Sequence, residues 1–290
     1  MRDAIQREML VFVTTIRHPM SSFSYDRIGE LLDSTLRSVC RQVDKNFHVF
    51  VVNNAPPKVN FESDHISYIE VDFPPPSTTR SARIPFEAAM RDKGTKYTIG
   101  IIAARELGAN HIMCFDADDY LHRDLAGFAN AHTDHPGWFS GTGYIHVAGT
   151  RRVQFVESGF EQKNGSTGIV RSDLINVPAH LTVDSSQQLI VDSMGGRYLD
   201  KMLGDHGKWQ EYLAPMGHII EPLPFPGAIW EIGTGENRSG NLFSGRQSKP
   251  LTQPILDDFG ISRPSQLTDV KSRTAIQLRR VRRKFRPESR

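Results

Sequence analysis

Residues 111–119 read His111-Ile-Met-Cys-Phe-Asp116-Ala-Asp118-Asp119. A short apolar run ends abruptly in three acids within four residues. An apolar run of this length reads as a strand buried on both faces. Like charges so close repel, so the cluster is costly unless a cation sits beside it. Hard divalent cations prefer carboxylate oxygen, and Mg²⁺ is commonly held by one or two carboxylates plus substrate phosphates. A solvated turn with a helix N-cap accounts for Asp118 or Asp119. It does not account for Asp116 at the end of a buried strand.

The flanking sequence sets that strand in an alternating pattern. Leu10-Val-Phe-Val-Thr-Thr15 is a β-branched run that reads as a buried first strand. From Tyr25 to Val43, Ile28, Leu31, Leu32, Leu36, Val39 and Val43 recur at helical spacing, with Ser24 as the N-cap. Phe47 to Asn54 is a second strand, stopped by Ala55-Pro56-Pro57, and Ile66 to Val71 is a third. Phe73-Pro-Pro-Pro-Ser-Thr-Thr-Arg80 excludes helix and central strand. Phe86 to Leu107 is helical in pattern, with Gly108 placed to end it, and a further helix is expected from Asp119. Strands alternating with helices predict an α/β fold with a largely parallel, Rossmann-like sheet covered on both faces. Ligands of such sheets bind beyond the carboxyl ends of the strands, where Thr14–Arg17, Asn53–Asn54, Asp72 and Asp116–Asp119 fall.

Beyond about residue 138 the pattern changes. Tyr144–Val147 and Arg152–Val156 form an expected hairpin, and Asn164-Gly-Ser-Thr-Gly168 is a turn before Ile169-Val170. A helix is expected over Tyr198–Leu213, around Gly204-Asp205-His206. Pro-rich connections lead to Ile229-Trp230-Glu231, and Ser239 to Pro264 carries little periodic signal. No internal repeat and no compositional break interrupt residues 9–240, which predicts one domain followed by a C-terminal extension.

Of the 290 residues, 38% are hydrophobic and 23% charged, which permits a large core and excludes wholesale disorder. No apolar run is long enough to span a bilayer, and Met1–Leu10 carries Asp3 and Glu8 instead of a signal-peptide core, so a cytoplasmic location is expected. Cys40 and Cys114 cannot form a disulfide framework. The net charge of +2 hides an asymmetry: residues 271–290 carry +8 and the rest −6. Ile276, Leu278, Val281 and Phe285 give the basic tail a partial apolar stripe, which points to peripheral contact with an anionic membrane. No set of stacking aromatics supports nucleic-acid binding. Walker, CxxC and Gly-x-Ser-x-Gly motifs are absent.

The ordered series of motifs resembles the GT-A fold glycosyltransferases, most closely their family 2-like branch. Asp116-Ala-Asp118-Asp119 matches the DxD motif of that family, and the stretch Lys96 to Ala109 is similar to the helix that leads to it. Val51-Val52-Asn53-Asn54 resembles the strand end that contacts the nucleotide base. Gly165-Ser-Thr-Gly168-Ile-Val-Arg171 looks like the glycine-containing segment of the acceptor half, and Gly204-Asp205-His206-Gly-Lys-Trp209 like the motif supplying the catalytic base. The resemblance covers residues 9–245. It implies a GT-A domain over residues 1–245, with a nucleotide-binding half at about 9–125 and an acceptor half at about 126–245. Residues 246–290 would form an extension ending in the basic tail 271–290.

The resemblance also implies a chemistry: transfer of a sugar from a nucleotide-diphosphate sugar to a hydroxyl acceptor, with Mn²⁺ or Mg²⁺ as cofactor. Asp116 and Asp118 would hold the ion. Thr14, Thr15, Arg17, Asn53, Lys96, Asp116 and Ala117 would contact the nucleotide sugar. Asp205 would take the acceptor's proton in an inverting transfer, with His206 orienting it or touching the acceptor. Many relatives carry an acid at the position of Asn53, so base identity stays open. The late histidine that completes many such metal sites is missing from Glu231-Ile-Gly-Thr-Gly-Glu236-Asn237-Arg238-Ser239, where Glu236 is the candidate oxygen ligand. Trp230 is a candidate sugar-stacking surface or a core residue. Two other readings stand beside this one: a GT-A-like protein that binds a sugar nucleotide or glycan without turnover, and a DxD phosphatase. Against the phosphatase, Asp119 follows the second acid and two βα units precede the motif.

Overall fold

The computed structural model describes residues 9–81, 84–206, 208–236, 247–272 and 274. In chain order the strands are β1 (Met9–Thr15), β2 (Phe47–Asn53), β3 (Ile66–Glu70), β4 (Ala109–Asp116), β5 (Tyr120–Leu121), β6 (Gly137–Phe139), β7 (Gly143–Val147), β8 (Arg152–Val156), β9 (Gly168–Arg171), β10 (Glu221–Pro222), β11 (Ala228–Ile232) and β12 (Lys249–Pro250). The helices are α1 (Tyr25–Val39), α2 (Phe86–Glu106), α3 (Leu125–Asn130), α4 (Gln187–Met194), α5 (Gly196–Tyr198), α6 (Trp209–Leu213) and α7 (Gln253–Phe259).

The alternation of β1 decides the first sheet. Leu10 and Phe12 point to one face and Val11 and Val13 to the other, as successive strand residues must. The first pair packs with Leu32 and Leu36 of α1, the second with Ile99 and Ile101 of α2, so the sheet is covered on both sides. Each such fully buried side chain contributes roughly 1.5–3 kcal/mol. The seven-stranded sheet runs β10-β6-β9-β4-β1-β2-β3. Its β1–β4 section is parallel, and β9 adds antiparallel to β4, making the sheet mixed. Thr15 lies opposite both Val52 and Asp116, so the carboxyl ends of three strands share one edge. A second mixed sheet runs β12-β8-β7-β11-β5. Its strand β5 starts four residues after Asp116, so the acid loop passes directly from one sheet to the other.

Most expected elements form. Ser24 caps α1, its side chain accepting from the Arg27 amide, and Gly108 follows α2 at φ 87°, a conformation open to glycine. The Tyr144–Val147 and Arg152–Val156 hairpin is β7–β8.

Four expectations are corrected. No helix begins at Asp119: that carboxylate bonds into the second half of the chain, Tyr120–Leu121 pair with β11, and α3 starts at Leu125. The expected helix 198–213 is broken into α5, a π-helical turn Leu199–Leu203, an irregular Gly204-Asp205-His206 and α6. α1 ends at Val39, because Gln42 turns inward to bond the His122 carbonyl and the Ala126 amide. The aperiodic stretch before Pro264 contains α7. There Leu251, Leu256, Phe259 and Ile261 pack on Val153 and Ile229, so residues just beyond 245 belong to the same core. Among the described residues no helix is long and apolar enough to cross a membrane.

Candidate active site

A cleft of about 500 Å³ opens over the carboxyl edge of the first sheet. Thr15 and Arg17 reach it from the end of β1, and Asp116, Ala117 and Asp118 from the end of β4. Asp92 and Lys93 come from α2, Gly165 from the turn before β9, and Asp205 and His206 from the break after the π-helical turn. Trp230 and Glu236 close the far wall. Asp116 and Asp205, remote in sequence, therefore line one cleft.

Close backbone approach makes this possible. A Cβ on Gly94 of α2 would lie 2.3 Å from the Leu199 carbonyl oxygen, and one on Gly204 2.4 Å from the Met90 oxygen. Without side chains there, the π-helical turn seats against α2 and delivers Asp205 and His206 to the cleft. His206 itself has φ 21°, rare for a residue with a Cβ. Its ring is buried against Tyr97 and over Gly165, and its Nε2 lies 3.2 Å from Asp116 Oδ1. Burial and the nearby Lys93 lower the His206 pKa. In the ring's pairing with Asp116 it is the Nε2–H that donates. Its Nδ1 has no partner among the described residues.

The three acids have separate fates. Asp119 is fully buried and serves the fold: Asn164 Nδ2 and Ser166 Oγ donate to its Oδ2 at 2.7 and 2.6 Å, and the Glu231 amide donates to Oδ1 at 3.2 Å. Ser166 Oγ also accepts from the Asp116 amide at 2.8 Å, fixing both ends of the acid loop. Asp116 carries an ion pair, Lys93 Nζ to Oδ1 at 2.5 Å. Burial works against its charge, but Lys93 and His206 outweigh burial and hold the carboxyl far below the usual range. Asp118 is pushed up to about 7, by burial first and then by Asp116 and Glu231.

This donor set fits a hard divalent cation in the two-carboxylate manner. Asp116 and Asp118 face the same cleft, two carboxylates two positions apart on one loop. No group of three or more His, Cys, Asp or Glu side chains among the described residues is arranged to hold a metal. Glu236, the expected third ligand, is engaged elsewhere: Oε1 accepts from the Ser24 amide at 2.7 Å and Oε2 pairs with Arg17 at 3.4 Å.

Three expected nucleotide contacts are not on the cleft wall. Lys96 is fully buried, donating to the Ile16 carbonyl and Asp92 Oδ2, both at 2.9 Å, and so ties α2 to the end of β1. Thr14 and Asn53 are also fully buried, because their side chains point into the sheet's flanking layers rather than past its edge. Thr14 Oγ1 and Asn53 Oδ1 have no partner among the described residues. The sequence reading also missed Lys93, Asn164, Ser166 and Glu231 as supports of the acid loop. Lys93, in helical register three residues before Lys96, was the one whose spacing gave a usable signal. Asn237 to Arg246 and most of the basic tail lie outside the described residues.

Comparison of the chain with protein-family models and with curated protein sequences gives no match.

Proposed function

We propose that this chain is a GT-A-like glycosyltransferase that moves a sugar from a nucleotide-diphosphate sugar to a hydroxyl acceptor. The observation that carries this reading is the meeting of Asp116, Asp118 and Asp205 on one cleft at the carboxyl edge of the sheet. A divalent cation bound by Asp116 and Asp118 would supply charge neutralisation for the diphosphate leaving group. His206 and Lys93 orient Asp116, while Asn164, Ser166 and the Glu231 amide fix the loop through Asp119. Arg17 offers a guanidinium at the same cleft for phosphate oxygens. Asp205 accepts the proton of the attacking hydroxyl.

The test is a thermal-shift screen of UDP, GDP, CMP and dTDP, each with Mn²⁺ and with EDTA, on wild type and Asp118→Ala. A ligand that binds only the native state raises its apparent stability. A shift for one diphosphate that vanishes with EDTA and in Asp118→Ala supports the reading and names the donor class. An EDTA-insensitive shift, or one unchanged in Asp118→Ala, removes the metal assignment. Binding of a sugar nucleotide without turnover is the second reading, favoured by the lack, among the described residues, of a group of three or more His, Cys, Asp or Glu side chains placed to hold a metal. Sugar transfer by the wild type would exclude it.

A further inference from the structure

The basic side chains around the acid loop are not equivalent. Lys96 is buried and bonded to Asp92 and the Ile16 carbonyl, and Arg17 pairs with Glu236. Lys93 differs from both. It lies on the cleft wall, its side chain 21% exposed, and its ammonium contacts Asp116 Oδ1, the oxygen that also meets His206. Its stem and ammonium run beside the Tyr97 ring, 5.8 Å from the centroid. The side chain is thus held by one ion pair and one ring, and has solvent beside it.

An ammonium 2.5 Å from a carboxylate already supplies one positive charge at the oxygen a metal would use. A second, doubly charged cation on Asp116 and Asp118 would face Lys93 at close range, and in a partly desolvated cleft that repulsion is strong. We propose that Lys93 is the resident counter-ion of the acid cluster, and that a divalent metal ion enters by displacing its ammonium from Asp116. This rests on the metal reading of Asp116 and Asp118. Lys93 is here a positioning residue that competes with the metal; the released side chain swings toward the solvent it already touches.

Calorimetric titration of Mn²⁺ into the nucleotide-free protein tests the exchange. Lys93→Met keeps the stem against Tyr97 and removes the charge, and should bind Mn²⁺ at least about tenfold more tightly than wild type. Lys93→Gln, which can still hydrogen-bond Asp116, should behave as Lys93→Met and serves if the methionine variant folds poorly. Lys93→Arg keeps the charge and should stay within about threefold of wild type. Tightening in both neutral variants but not in the arginine variant supports the exchange. Equal or weaker Mn²⁺ affinity in the neutral variants overturns it while leaving the two-carboxylate site in place. Failure of Mn²⁺ to bind any of the four proteins overturns it together with the metal reading.

Discussion

Asp116 and Asp118 stand two positions apart on one cleft, yet their surroundings drive their carboxyls in opposite directions. Asp116 has Lys93 and His206 in contact, whereas for Asp118 burial and the nearby Asp116 and Glu231 outweigh Lys93 and Arg17. Divergent environments of this kind separate the roles of paired acids. Asp116 is held by Lys93 and His206 of its own chain, and burial weighs most on Asp118. Asp205 has a different task, and Asp205→Asn should leave nucleotide affinity unchanged while transfer falls about 10²–10⁴-fold. A transfer assay beside a binding titration reads both; unchanged transfer would remove Asp205 as the base. Away from the cleft, His111 donates from Nε2 to the His135 carbonyl at 2.8 Å and is buried beside Trp138. Burial lowers its pKa from 6.5 to about 4, partly opposed by that bond. The unfolded chain therefore takes up a proton first, and stability present above about pH 6.5 is lost as pH falls toward about 4. The loss amounts to about 3 kcal/mol at most. His111→Gln should flatten that part of the pH profile in chemical denaturation, whereas an unchanged profile would place the acid sensitivity elsewhere. Three acids closing an apolar strand stood out in sequence, Asp205 was singled out by resemblance alone, and Asp116, Asp118 and Asp205 line one cleft. The fates of Thr14, Asn53 and Lys96 were not legible, because which way a side chain points at a strand end depends on neighbours that only folding supplies.

The break between the π-helical turn and α6 governs the site at the level of elements. Gly94 lets that turn sit directly on α2. Gly94→Ala should destabilise the fold by about 1–3 kcal/mol through overpacking and displace Asp205 and His206. Chemical denaturation together with nucleotide binding checks this; wild-type stability in Gly94→Ala would mean that the two elements part without effect. Periodicity could not reveal the break, since Tyr198 to Leu213 keeps a plausible helical spacing, and the segment sits on α2 through contact of Leu199 with Gly94 and of Gly204 with Met90. The same limit explains the absent helix at Asp119. Its N-cap chemistry was real in sequence, but Asn164, Ser166 and the Glu231 amide claim that carboxylate. β1, α1, β2, β3, α2 and β4 were legible in sequence, though not the end of α1, because each carries its own burial pattern.

At the scale of the molecule, the second sheet depends on residues close to the C-terminus. Leu251, Leu256, Phe259 and Ile261 are all buried against Val153 and Ile229. At roughly 1.5–3 kcal/mol each, their burial is comparable to the roughly 5–15 kcal/mol that holds a typical domain folded. A chain ending at residue 247 should therefore fail to fold cooperatively, whereas one ending at residue 272 should match the full chain in chemical denaturation. The shorter-tailed protein also tests membrane contact: it should bind anionic vesicles more weakly than the full chain and bind nucleotide equally. Equal vesicle binding would remove the membrane partner.

The acid loop leaves β4 in one sheet and enters β5 in the other within four residues, and Asp119 is bonded into the second half of the chain. The two sheets are thus stitched at this loop, as they are again where β6 leads into β7, and Asp119 is the stitch beside the cleft's carboxylates. Asp116 ends β4 with its amide bonded to Ser166, and Asp118 precedes the anchored Asp119, so both carboxylates are borne on a loop held at its two ends. On warming, the acid wall of the cleft should hold its shape until the sheets separate, so that site and fold melt as one event.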